Sequence, residues 1–124
     1  MKKSILLFVI AISMAALGFS YLNNTGEKEI YVLVKYKAQP GKSDQALTAL
    51  KALVKKVGEE PNYKNIIIHT DAADPSNILL YESWADESYY KGDHMNTPHL
   101  QQFIKDSRDF LAGPPEITFW KRAE

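Results

Sequence analysis

The chain has 124 residues, with fifteen basic and fifteen acidic side chains, and is 45% hydrophobic and 24% charged. That is the length and composition of one globular domain. No basic excess marks a nucleic-acid binder and no acidic tail marks a disordered solvating segment. Cysteine is absent, which removes disulfides, thiolate zinc sites, iron–sulfur clusters and Cys nucleophiles, and leaves an apolar core to hold the fold.

Residues 1–20 stand apart. Lys2 and Lys3 precede an almost unbroken apolar run from Ile5 to Phe19. This is the pattern of a signal peptide or, if uncleaved, an N-terminal anchor. The run is short for crossing a hydrocarbon core, which takes ~20 residues. Small residues at Ala16, Gly18 and Ser20 suit a signal peptidase. The expectation is an exported protein, periplasmic or secreted, that touches a membrane only through this segment. Losing Lys2 and Lys3 with the leader leaves thirteen basic groups against fifteen acidic, a net charge of −2. Residues 21–28 are polar and read as a linker, and residues 29–121 as the domain.

Ile30 to Lys37 alternates in the period of a strand, and Gln39-Pro40-Gly41 stops it. Ser43 is placed to cap a helix, and Asp44 follows where negative charge suits the helix N-terminus. Leu47, Leu50, Val54 and Val57 form its apolar stripe and Gly58 ends it. Glu59 to Asn62 is a turn, and Tyr63 to Thr70 a second strand. The loop Asp71 to Asn77 has the residues of a hairpin connection, and Ile78 to Trp84 is a third strand. Asp86 opens a short helix reaching about Asp93. Pro98 suits the first turn of a further helix, with Thr97 or Asn96 as its cap. Leu100, Phe103, Ile104, Ser107 and Leu111 mark that helix's buried side. Gly113-Pro114-Pro115 ends it before a closing strand, Ile117 to Lys121.

The order β-α-β-β-α-β predicts an α+β, ferredoxin-like domain, a four-stranded antiparallel sheet with its helices on one face. The strands are apolar on both faces all the same. Ile78 and Leu80 point one way, Leu79 and Tyr81 the other, and Ile67 opposes Ile66 and Ile68. A second copy covering the helix-free face, a homodimer, is the expected partner.

The stretch Tyr81 to Phe103, YESWADESYYKGDHMNTPHLQQF, concentrates one of two Trp, three of seven Tyr and two of three His at the junction of a strand and two helices. Such density points to a pocket. Glu82 and Trp84 share a strand face, and Tyr90 and His94 lie one helical turn apart. His94 and His99 are five apart, not the i, i+4 of a helical zinc pair, so no metal site is expected.

Gly41 before the first helix, Glu60-Pro61 before the second strand, and Tyr81-Glu82-Ser83-Trp84 followed by His94 and Thr97-Pro98-His99 together resemble the antibiotic biosynthesis monooxygenase (ABM) superfamily. The resemblance covers about Lys28 to Trp120. It implies a dimeric α/β barrel built from paired sheets, with a pocket between sheet and helices in each subunit. It also implies oxidation of a quinol or polyphenol by O₂ without metal or flavin, so no cofactor. On this reading His94, Trp84 and Tyr90 are the catalytic candidates. His94 is a base of near-neutral pKa, and Tyr90 and the indole are donors to a developing oxyanion. Tyr81, Glu82, His99 and Phe103 are the substrate-binding candidates for a small aromatic. Two alternatives stand beside it. One is haem binding or degradation, with His94 as axial ligand; the first strand lacks the Asn of haem-degrading relatives. The other is a non-catalytic ligand-binding dimer, since Leu80 stands where actinorhodin-type monooxygenases carry an Asn.

Overall fold

The structure, a computed structural model, describes residues 28–124. The expected leader and, apart from Lys28, the linker lie outside the described residues. Four strands, β1 (Ile30–Lys37), β2 (Tyr63–Thr70), β3 (Asn77–Trp84) and β4 (Glu116–Trp120), form one sheet in the order β2-β3-β1-β4, with every pairing antiparallel. The helices are α1 (Ser43–Val57), α2 (Glu87–Lys91) and α3 (Pro98–Asp106). Short 3₁₀ turns at Asp93–Asn96 and Ser107–Asp109 flank α3. The predicted split βαβ arrangement is the one observed.

Alternation along each strand decides the two faces. Toward the helices point Ile30, Val32, Val34 and Tyr36 of β1, and Ile78, Leu80, Glu82 and Trp84 of β3, all buried. Ala46, Leu50, Leu53 and Val57 of α1, with Leu100 and Phe103 of α3, close over them. The α1 stripe therefore centres on Ala46 and Leu53 as well as Leu50 and Val57, while Leu47 and Val54 sit at its margins. Ser43 is the first helical residue and not the cap; Lys42 occupies that position without a side-chain bond. Asp86 does cap α2, accepting from the Ser88 and Tyr89 amides. Ile104 departs from its expected burial and is 44% exposed. It is turned ~100° from Phe103 around the helix, toward the open end of the space under α3.

The helix-free face carries Ile67, Tyr81, Leu33 and Thr118 in one cross-strand row, and Tyr31 beside Trp120 in the next. Ile67, Tyr81 and Trp120 are exposed, Trp120 at 55%.

Candidate functional site

Local rules bring four segments to one place. After α1 the chain turns through residues 59–62. Asn62 takes φ 67°, a left-handed conformation that Asn tolerates, and its carbonyl accepts from the Ala85 amide at 2.7 Å. This pins the turn, and Glu60 within it, to the end of β3. There, the Asp86 cap launches α2 with Tyr89 and Tyr90. Gly92 ends that helix so closely that an added Cβ would stand 3.0 Å from the Ser88 carbonyl oxygen. The chain then winds into its 3₁₀ turn and lays the His94 ring against Tyr90, centroids 4.9 Å apart and planes 26° from parallel. Thr97, at the N-cap position of α3, uses its hydroxyl to bond back to the His94 carbonyl at 2.9 Å and does not cap that helix.

Glu60 is the hub. Its side chain is 5% exposed and accepts three donors. The Tyr89 hydroxyl reaches Oε1 at 2.9 Å. His94 Nδ1 lies 2.9 Å from Oε1 and 3.2 Å from Oε2. His99 Nε2 lies 2.6 Å from Oε2. A carboxylate only accepts, so His94 carries its proton on Nδ1, and Nε2 holds the free lone pair. Among the described residues Nε2 has no partner, yet no buried side-chain N or O there goes without one. Nε2 therefore reaches open space. Burial pulls the His94 imidazolium below its usual range, partly offset by the bond to Glu60.

The open space that His94 borders is a cavity of about 760 Å³ between the sheet, α1 and α3. Its walls are mostly aliphatic and aromatic, including Leu80, Leu100 and Phe103. The polar groups Tyr36, Glu82 and Tyr90 face it beside His94. By the same argument as for Nε2, the Tyr36 and Tyr90 hydroxyls, which have no partner among the described residues, are open to it. Burial pushes both phenols well above the ordinary tyrosine range, with the Glu82 charge adding to the effect, so they stay neutral donors. Burial likewise raises the Glu82 carboxyl to about 7, against the opposing bond from the Trp84 indole.

The predicted site residues divide. His94, Tyr90, Glu82 and Phe103 border the cavity. Trp84 does not. It is fully buried, its indole donates to Glu82 Oε2 at 2.9 Å, and the rings of Tyr63, Tyr89, Tyr90 and His94 enclose it. It packs the cavity's support and leaves no gap for a guest between itself and His94. Tyr81 points away onto the helix-free face, as strand alternation demands of the neighbour of Glu82. His99 stands behind the site and binds Glu60. Sequence reasoning missed Glu60 and Tyr36. Glu60 lies 34 residues from His94, and spacing cannot bridge a distance that the sheet closes. Tyr36 carried only a strand alternation, which told its face but not the hollow above it.

The fold and this pocket define an α+β, ferredoxin-like protein with a cavity between its sheet and its helices. The sequence profile of the antibiotic biosynthesis monooxygenase family matches residues 29–106, and the chain belongs to that family. An uncharacterized Synechocystis protein is 26% identical over 95 residues, 77% of this chain and 64% of that relative. The chain thus spans less than two thirds of that protein's length. A Pseudomonas aeruginosa crystal structure superposes with TM-score 0.72 at 22% identity, over 80% of this chain and 98% of that one. A Nitrosomonas europaea protein, described as a candidate antibiotic biosynthesis monooxygenase, gives 0.71 at 19%, over 77% and 91%. At these identities the two structures speak for the fold.

Proposed function

We propose that the protein oxidises a quinol or polyphenol with O₂ in the cavity beside His94, using no metal or flavin. One observation carries the reading. The imidazole has Nδ1 held by a buried carboxylate and Nε2 open to an apolar hollow that also presents two neutral phenol hydroxyls. His94 Nε2 takes the phenolic proton. The phenolate then passes an electron to O₂, and the radical pair combines at the ring. Tyr36 and Tyr90 donate to the oxygen on which charge develops. Loss of water gives a hydroxyquinone. One oxygen atom enters the ring, the other leaves as water, and the substrate supplies all four electrons. Glu60 stabilises the imidazolium formed in the first step, and the apolar walls keep bulk water from the radical pair. Electrons drawn from the substrate suit an exported protein, which meets little reduced nicotinamide.

Haem suits the hollow less well. Among the described residues Arg108 is the single Lys or Arg that lines it, against two propionates, and Glu82 adds a carboxyl.

The helix-free face supports a homodimer, because its exposed aromatic and aliphatic rows form a patch of the kind that monomers seldom leave bare.

The test is oxygen uptake by the purified full chain with a hydroquinone panel. Uptake is expected above the autoxidation blank and should vanish in His94→Ala. Uptake equal to the blank, or a haemin Soret shift that His94→Ala removes, would overturn the proposal.

A further inference from the structure

Two imidazoles share one carboxylate, and the proposed chemistry needs only one of them. Glu60 alone would fix the His94 tautomer. His99 enters from the first turn of α3, and its bond to Oε2, at 2.6 Å, is shorter than either contact from His94 at 2.9 and 3.2 Å. The two rings also look in different directions. His94 is 6% exposed and borders the large cavity. His99 is 20% exposed and borders a separate hollow of about 210 Å³ between α1 and α3, where Lys56, Gln102 and Asp106 meet solvent. The carboxylate thus joins an inner imidazole to an outer one through two short bonds.

We infer that His99 is a positioning residue that sets, from the protein surface and through Glu60, how readily His94 takes a proton in the cavity. This rests on the reading of His94 as the base, and gives that base a means of control. A proton on His99 neutralises the Glu60 carboxylate on its far oxygen and places a like charge across the bridge from His94. Both effects oppose a second cation. When His99 is neutral, the whole carboxylate charge serves the His94 imidazolium. The two imidazoles are therefore linked through one carboxylate. A charge on the outer ring leaves His94 its lone pair to lower pH than a simple carboxylate–imidazole dyad would.

The other groups around Glu60 do not provide this link. From α2 the Tyr89 hydroxyl occupies Oε1, and burial, then Glu60, raises it to about 12, so it stays neutral. From β3, Glu82 feels the Glu60 charge without a bond to it. Asp93 acts on Tyr89 by charge alone. Lys56 of α1 and Asp106 of α3 border the outer hollow on the His99 side.

The decisive measurement is a pH titration of the His94 ring nitrogens by long-range ¹H–¹⁵N NMR on the ¹⁵N-histidine-labelled full chain. His99→Gln keeps an N–H donor for Oε2 but cannot charge, and His99→Lys places a lasting cation there. His94 should titrate in two steps in the wild type. It should titrate in a single step at higher pH in His99→Gln, and be displaced to lower pH in His99→Lys. The acid limb of oxygen uptake should move the same way in each. A His94 curve that overlays the wild type in both variants would overturn the inference. Should one variant fail to fold, the other decides alone, since the two shift His94 in opposite directions. Displaced His94 curves without oxygen uptake in any form would sustain the coupling and refute the oxygenase reading. Uptake with an unmoved His94 curve would do the reverse.

Discussion

Replacing Glu60 by Ala tests the hub directly. The substitution strips the acceptor from three donors in a place where water enters unevenly. The His94 side chain is 6% exposed, so its Nδ1–H finds no replacement, and an unsatisfied buried donor costs about 1–3 kcal/mol. Tyr89 is half-buried and His99 20% exposed, so both can turn toward solvent, and each loses a few tenths to about 1 kcal/mol. Against this, the carboxylate's own desolvation is relieved. The net loss is on the order of 2–3 kcal/mol, a large share of the 5–15 kcal/mol that holds a typical domain. Glu60→Gln keeps the shape and one acceptor oxygen and should lose about half as much. Urea unfolding at pH 7.5, followed by far-UV circular dichroism, measures both. A double-mutant cycle with His94→Ala isolates the pair and should return a coupling of about 1–3 kcal/mol. A Glu60→Ala loss under about 0.5 kcal/mol, or a cycle that closes at zero, would show that the hub bonds do not hold the site together.

Glu82 has its folded pKa raised to about 7 from 4.5, so the folded state binds the extra proton between those values. Stability then falls as pH rises from about 4.5 to above 7, by on the order of 3 kcal/mol. Glu82→Gln should remove that slope and be the more stable protein at pH 8; parallel urea midpoints for both proteins from pH 5 to 8 would refute this. His94 works in the opposite sense, because its folded pKa is lowered. The stability it contributes is complete above its unfolded pKa and fades as pH falls toward the folded one, so His94→Gln should flatten the acid side of the stability profile. Trp84→Phe should cost about 1–3 kcal/mol through the lost indole donor and the void left beside Glu82, while phenol binding in the cavity survives; isothermal titration showing loss of binding in a folded variant would return the indole to the site. Tyr81→Asp puts a charge in the middle row of the helix-free face, and sedimentation velocity should show a monomer where the proposed homodimer predicts a dimer for the wild type; a monomeric wild type would remove the dimer from the proposal.

Periodicity alone was enough for the sheet and its faces. Alternation in IYVLVKYK and NILLYESW assigns every residue of β1 and β3 to a side, and pairs Glu82 with Trp84, because a strand has only two directions for its side chains. Turn chemistry placed the starts of α1, α2 and α3, while α3 ends at Asp106, well before the Gly113 expected to stop it. The 23-residue run from Tyr81 to Phe103 disclosed that something gathers near His94, since both partners of the Tyr90–His94 stack lie four apart in the chain.

What gathers was decided by the tertiary structure. The carboxylate that orients His94 comes from a turn on the far side of β2, brought in by the hydrogen bond from Ala85 to Asn62. The hollow lies where the sheet at Tyr36 and Leu80 meets α1 and α3 with the chain that follows it. Trp84 joined the packing and not the cavity because four rings from three other segments close around it. Local sequence sets the direction in which a side chain leaves the backbone; only the meeting of distant segments sets whether it finds a carboxylate, a void or a wall of other rings.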